Sequence, residues 1–161
     1  LGVSSSGVHS NGYSLVRKAL GKGGLNAKLD AVPAGWNEKL AEAVMRPTKL
    51  YVRPALAAVE TGAVHGMAHI TGGGLYGHVI RIIPKGLDIE IDFSSWERPK
   101  IFELIQSAGI EEDEMRKVFN LGIGFVFIAD PDETHLIEKA LSGSGEKAVK
   151  IGRVVKCSSP A

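Results

Sequence analysis

The chain has 161 residues, of which 44% are hydrophobic and 23% are charged, and its 19 basic and 18 acidic residues leave a formal charge of +1. This composition excludes global disorder and favours one domain over two, because a chain this long and this apolar can bury its own core. The near-zero charge argues against a protein that binds nucleic acid through an excess of basic residues. No apolar run approaches the ~20 residues that span a bilayer, which argues against a membrane-spanning segment. A single cysteine is typical of a reducing compartment, so we expect a cytoplasmic location.

Apolar spacing and turn residues predict helices and strands that interleave along the chain. In chain order, the predicted elements are a strand at 1–4, a helix at 15–20, an exposed connector at 22–37, helices at 38–45 and 51–60, a strand at 63–70, a helix at 75–83, a strand at 87–93, helices at 100–108 and 111–119, a strand at 123–129, a helix at 131–141 and a strand at 148–155. This order indicates an α/β (α+β) layered domain with a mixed sheet flanked by helices.

The stretch 4–14 joins the first predicted strand to the first helix. Gly7 would let the backbone approach a ligand closely, and Ser10 and Asn11 lie where the free N–H groups of a helix favour an anion. His9 could donate a hydrogen bond to that anion or exchange protons near neutral pH. The alternative is an ordinary N-cap and turn, in which His9 only satisfies a backbone carbonyl.

The stretch 69–75 repeats the order of strand, glycine loop and helix. Its three consecutive glycines, 72–74, are entropically costly, and no ordinary turn requires three, which favours a backbone that contacts a ligand through several N–H groups. The spacing is neither a Walker loop nor a dinucleotide-binding fingerprint. His65 and His69 are four residues apart, but they lie on a predicted strand without a third ligand, so we predict no metal site.

A third glycine junction occupies 119–124. Asn120 or Gly122 could simply cap the preceding helix, and Asn120 could instead contact a ligand. The residues alone favour the cap but leave both interpretations open.

Four ordered motifs resemble aminoimidazole ribonucleotide (AIR) synthetase, the phosphoribosylformylglycinamidine cyclo-ligase family of purine biosynthesis. They are SGVHSNGYSL at 6–15, RPT at 46–48, HITGGGL at 69–75 and FNLGIG at 119–124. The resemblance runs from Ser5 to about Val155 and covers only the C-terminal domain of that family's enzymes. The segment 75–81 departs from it, because this chain has LYGHVIR where the usual pattern is LLENIPR.

The resemblance implies that residues 1–161 form one C-terminal domain with a partial likeness to the ferredoxin-like fold. The family's N-terminal domain, which binds ATP and magnesium and pairs with a second copy to form a homodimer, is absent from this sequence. The family's reaction closes the imidazole ring of formylglycinamidine ribonucleotide with ATP, so the resemblance implies a ribonucleotide ligand. Because the ATP and metal sites belong mainly to the missing domain, we predict that this chain alone is inactive.

The resemblance also implies a site built from two walls. The catalytic candidate is His9, and the candidates for substrate and phosphate binding are Ser6, Gly7, Ser10, Asn11, Thr71, Gly72, Gly73, Gly74 and Asn120. The rival functions are a related enzyme, such as a selenophosphate synthetase or a hydrogenase-maturation protein, and a stand-alone module that binds a nucleotide or dimerises without catalysis.

Overall fold

The computed structural model describes residues 1–157. Its helices are α1 (Tyr13–Leu20), α2 (Leu40–Met45), α3 (Val52–Val59), α4 (Gly74–Val79), α5 (Lys100–Gln106), α6 (Glu112–Val118) and α7 (Thr134–Gly143). Its strands are β1 (Gly2–Ser4), β2 (Gly66–His69), β3 (Leu87–Ile91), β4 (Ile123–Ile128), β5 (Ala148–Val149) and β6 (Gly152–Lys156). None of these helices has the length and hydropathy that a membrane span requires. The predicted α+β layered class is confirmed.

The central sheet has four strands in the order β2-β4-β1-β5, and β3 pairs with β6 in a second, two-stranded sheet. Every strand pair within residues 1–157 is antiparallel, so the predicted mixed sheet is wrong in this detail. The interleaving of helices with strands does not fix strand direction. Here β4 enters between β1 and β2, which both run opposite to it, and this split β-α-β arrangement agrees with the expected partial likeness to the ferredoxin-like fold.

The predicted last strand at 148–155 is two short strands in different sheets. Ala148 and Val149 pair with β1, whereas β6 pairs with β3. The chain crosses between the sheets at Ile151, which is buried in the core. A side chain on Gly152 would overlap the carbonyl oxygen of Glu90, so the residue after the crossing must be glycine for the two backbones to meet.

The apolar core has three parts. One part joins α1, α2, α5 and α6, and a second lies between the sheet and helices α3 and α7. A third lies between the sheet, helix α4 and the β3–β6 pair. Each helix therefore buries one face, as amphipathic elements do in layered domains.

The direction of the strands decides where the glycine junctions lie. Both β1 and β2 run opposite to β4, with Ser4 opposite Ile123 and His69 opposite Phe125. Because antiparallel neighbours end where their partner begins, the loops that follow β1 and β2 and the turn that precedes β4 come together at one end of the sheet.

Candidate functional site

The three glycine junctions predicted from the sequence meet in space. The N–H of Ser5 donates to the carbonyl of Gly122 over 2.8 Å, which joins the first junction to the third. A Cβ atom on Gly72 would lie 3.4 Å from the side-chain oxygen of Asn11, which places the second junction beside the first. The pattern of loops therefore marks a single candidate site.

Asn120 holds the first loop against the third junction. Its amide nitrogen donates to the carbonyl of Gly7 over 2.8 Å, and its oxygen accepts from the Ser5 hydroxyl at 2.8 Å and from the Gly122 N–H at 2.9 Å. The residue is 2% exposed. These bonds give Asn120 a positioning role within the chain, and a direct contact with ligand stays a prediction.

His9 lies buried at the centre of the first loop, in the left-handed region with φ of 59°. Its Nε2 atom accepts a hydrogen bond from the N–H of Ser6 at 3.1 Å. The hydrogen of the neutral ring must then be on Nδ1, and this atom has no partner within the part of the chain that the structure describes. A buried N–H without an acceptor destabilises the fold by about 1–3 kcal/mol, which marks it as a donor available to a ligand.

The electrostatic surroundings keep His9 neutral. The pKa of His9 is lowered to about 4, chiefly by burial and to a smaller extent by His69 and Lys49. Of the two possibilities offered by the sequence, this lowered pKa disfavours proton exchange near neutral pH, because desolvation favours the neutral ring. The role of His9 as a hydrogen-bond donor does not require that exchange.

The low pKa of His9 makes the stability of the domain depend on pH. Between about pH 4 and the ordinary value of 6.5, the unfolded chain binds more protons at this residue than the folded chain does. The contribution of His9 to stability is therefore fully present above pH 6.5 and is lost as the pH falls toward 4. We expect His9→Asn to flatten the pH dependence of the unfolding free energy in urea across this window. The control is His135→Asn, because His135 is exposed. If His9→Asn leaves the pH dependence of the unfolding free energy as unchanged as this control does, the account is contradicted.

Sequence reasoning missed two aromatic neighbours of His9. The ring centroids of Tyr51 and His69 lie 6.0 and 6.2 Å from that of His9 and 5.5 Å from each other. The Tyr51 hydroxyl donates to the carbonyl of Ser4 over 2.9 Å, and burial raises the pKa of its phenol. The signal for His69 was its position three residues before the triple glycine, although its spacing from His65 suggested only a metal-binding role.

Gly124 leaves the space that this cluster needs. A Cβ atom there would overlap the Tyr51 hydroxyl and lie 2.8 Å from Cε1 of His9. The third junction therefore contributes to the site through the close approach of its backbone as well as through Asn120.

Ser6 and Gly7 face a different side of the first loop from Asn11. They line a cavity of about 240 Å³ that Arg46 and Lys100 also line, and the Ser6 hydroxyl donates to the carbonyl of Pro47 over 2.7 Å. The Ser10 hydroxyl lies 3.0 Å from the hydroxyl of Thr48 in the second family motif. The residues predicted to form one wall of the site therefore lie on two sides of the first loop, with Ser6 and Gly7 on one side and Asn11 on the other.

The triple glycine combines a structural and an exposed part. Gly74 is buried with φ of 68°, and a side chain there would overlap the carbonyl oxygen of Arg116 at the end of α6. Gly72 and Gly73 are exposed, and Gly73 has φ of 112°. The packing of α4 on α6 is sufficient reason for Gly74, and the positive φ is sufficient reason for Gly73, so only Gly72 lacks a structural explanation within the chain.

His65 lies at the other end of β2 from this site. Its Nε2 atom is 3.6 Å from a carboxylate oxygen of Asp130 and 3.8 Å from one of Glu133, and all three side chains are largely exposed. Exposed groups of this kind occur commonly without a metal, so the cluster gives no reason to place one there.

Comparison with known proteins identifies the relatives of this chain. The family described as "AIR synthase related protein, C-terminal domain" matches residues 1–160. Phosphoribosylformylglycinamidine cyclo-ligase of Bacillus licheniformis is 48% identical over 156 residues, which cover 96% of this chain and 44% of that protein. The enzyme of the same name from Bacillus subtilis is 45% identical over 157 residues, covering 97% of this chain and 45% of that protein. A bifunctional purine biosynthetic protein of Dictyostelium discoideum is 46% identical over 158 residues, covering 96% of this chain and 19% of that protein.

The chain thus spans less than half the length of these relatives, and it matches them over nearly all of its own length. The expected resemblance is confirmed for the family and for the C-terminal extent of the match. This chain belongs to the family of AIR synthase related C-terminal domains.

Proposed function

We propose that this chain is the C-terminal domain of a phosphoribosylformylglycinamidine cyclo-ligase and that it binds the phosphate of the ribonucleotide. The names of the relatives support the cyclo-ligase over the selenophosphate synthetase and hydrogenase-maturation alternatives. The observation that carries the binding site is the unpartnered Nδ1–H of His9, which is buried beside His69 and lies two residues before Asn11, the residue that adjoins Gly72.

The ligand faces the junction of the two loops. The backbone N–H groups at the start of α1 favour negative charge, and the exposed Gly72 and Gly73 allow a phosphate to approach the backbone. Because His9 is 2% exposed, its contact with a ligand oxygen requires a small movement of the turn at 9–12. Ser6 and Gly7 support this turn from behind, since the N–H of Ser6 holds the His9 ring and the carbonyl of Gly7 accepts from Asn120.

The remaining parts of the activity lie outside this chain. In the family's reaction, ATP supplies the phosphoryl group that activates the formyl oxygen. Strands β1 and β2 end at the junction and β4 begins there, and the residues gathered there are mainly hydroxyls, amides, imidazoles and glycines. Magnesium prefers carboxylates, and the Glu146 carboxylate beside this site is already paired with Lys49. We therefore propose that ATP and magnesium bind mainly to an N-terminal domain, that the complete enzyme is a cytoplasmic homodimer, and that this chain alone has no turnover.

The binding site can be tested with ribose 5-phosphate and amide NMR of this chain. We expect shifts concentrated at 9–12 and 71–74, and Gly73→Val should weaken binding about tenfold or more, because its side chain blocks the approach of the phosphate. Gly86→Val is the matched control, since Gly86 also has a positive φ, 85°, and has nothing within 4 Å of its Cβ position. Shifts confined to the cavity between Ser6 and Lys100, or equal losses in both variants, would contradict the assignment.

A further inference from the structure

His78 folds back from α4 onto the loop that precedes the same helix. Its Nε2 atom lies 2.8 Å from the carbonyl oxygen of Gly72 and 3.0 Å from the hydroxyl oxygen of Thr71. A carbonyl oxygen can only accept, so Nε2 carries a hydrogen and donates it to Gly72. His78 lies in the segment that departs from the cyclo-ligase pattern, and the proposed function so far gives it no role.

Several hydrogen-bond donors of the loop are unpaired among the residues that the structure describes. The single Nε2 hydrogen is shared between the two oxygens, and because a protonated Nε2 cannot accept, the Thr71 hydroxyl accepts at this contact and does not spend its own proton there. Within residues 1–157, that hydroxyl has no second partner, and the N–H groups of Gly72 and Gly73 donate to no backbone carbonyl. His78 thus bonds to two acceptor oxygens of the loop, while the Thr71 O–H and the N–H groups of Gly72 and Gly73 stay available to a ligand.

The bonds of His78 lie beside the rest of the site. Gly72, whose carbonyl it holds, adjoins the side chain of Asn11. The pKa of His69 is lowered first by burial and then by the charge of His78, which shows that the two imidazoles are electrostatic neighbours. The loop that His78 holds is therefore continuous with the His9 cluster.

We propose that His78 is a positioning residue that fixes the 71–74 loop for phosphate binding. Its Nε2–H holds the Gly72 carbonyl and the Thr71 hydroxyl oxygen and thereby fixes the loop in a conformation in which the Thr71 proton and the loop N–H groups can meet a phosphate oxygen. The ligand class rests on the proposed function, whereas the ordering of the loop rests on the two hydrogen bonds alone.

Two variants of this chain separate the hydrogen bond from the volume of the side chain. His78→Phe keeps a ring but removes the donor, and His78→Gln keeps an amide N–H near the position of Nε2. Titration with ribose 5-phosphate should show binding weakened about tenfold in His78→Phe and within about twofold of the parent in His78→Gln. The heteronuclear NOE of the amides at 72–74 should fall in the Phe variant only, with little change in Tm for either.

The outcomes distinguish this role from the proposed function. Equal affinity and equal loop order in all three proteins would overturn the positioning role, as would losses of the same size in both variants. If the parent chain does not bind ribose 5-phosphate, the proposed binding site fails, and the heteronuclear NOE alone then tests whether His78 orders the loop. A fall confined to His78→Phe would uphold the positioning role, and an unchanged NOE would overturn it.

Discussion

Gly124→Ala is expected to destabilise the domain by about 3 kcal/mol, at the upper end of the range for an overpacked core. The new methyl would overlap the Tyr51 hydroxyl and approach the His9 ring to 2.8 Å. Neither neighbour can withdraw easily, since Tyr51 is bonded to the Ser4 carbonyl and His9 to the Ser6 N–H. Urea unfolding measures the loss directly.

Two further variants control that experiment. Gly77→Ala in α4 places a methyl where nothing lies within 4 Å, and it should change stability by less than 1 kcal/mol, in the stabilising direction. Tyr51→Phe removes the nearest obstructing atom, so the double variant should lose less stability than the sum of the two single losses. A Gly124→Ala protein as stable as the parent would show that His9, Tyr51 and β4 do not pack as described.

The second large effect concerns turnover and requires a complete enzyme. We would replace the matching C-terminal part of the Bacillus subtilis relative with this chain and measure turnover with formylglycinamidine ribonucleotide and ATP. If Nδ1–H of His9 donates to the ligand, His9→Gln should lower kcat/KM about 100-fold or more, because its amide reproduces the Nε2 acceptor and leaves no donor at the position of Nδ1.

His9→Asn is the matched variant for this experiment. Its shorter amide supplies an N–H near the position of Nδ1, and asparagine tolerates the left-handed backbone at φ of 59°. We expect it to retain kcat/KM within about tenfold of the parent and to lose stability through the missing bond to Ser6. Normal turnover in both variants, with lower Tm, would restrict His9 to a structural role.

The sequence predicts the helices, the strands and the place of the site better than it predicts how the strands pair. Apolar spacing located helices such as α5 and α6 and the buried strand β4, because local amphipathic patterns reflect which face a helix or strand buries. The glycine junctions indicated the loops that meet at the end of the sheet. Strand direction and the division of 148–155 between two sheets depend on contacts between distant residues, and no local pattern encodes them.

The same limit applies to individual residues of the site. Gly74 is required by the Arg116 carbonyl, 42 positions away in the numbering, so the triple glycine could not be divided into structural and exposed parts from its own sequence. The burial that lowers the pKa of His9 comes from Tyr51 and β4 as well as from its own loop. His69 becomes part of the site only because β2 lies beside β4.

The most direct test of the central claim compares this chain alone with the same chain joined to the N-terminal part of the Bacillus subtilis relative. The account predicts ATP-dependent formation of aminoimidazole ribonucleotide by the fusion protein, no turnover by the isolated chain, and loss of the fusion's activity in Gly73→Val but not in Gly86→Val. Turnover by the isolated chain, or a folded fusion protein that binds ATP but never closes the ring, would contradict it.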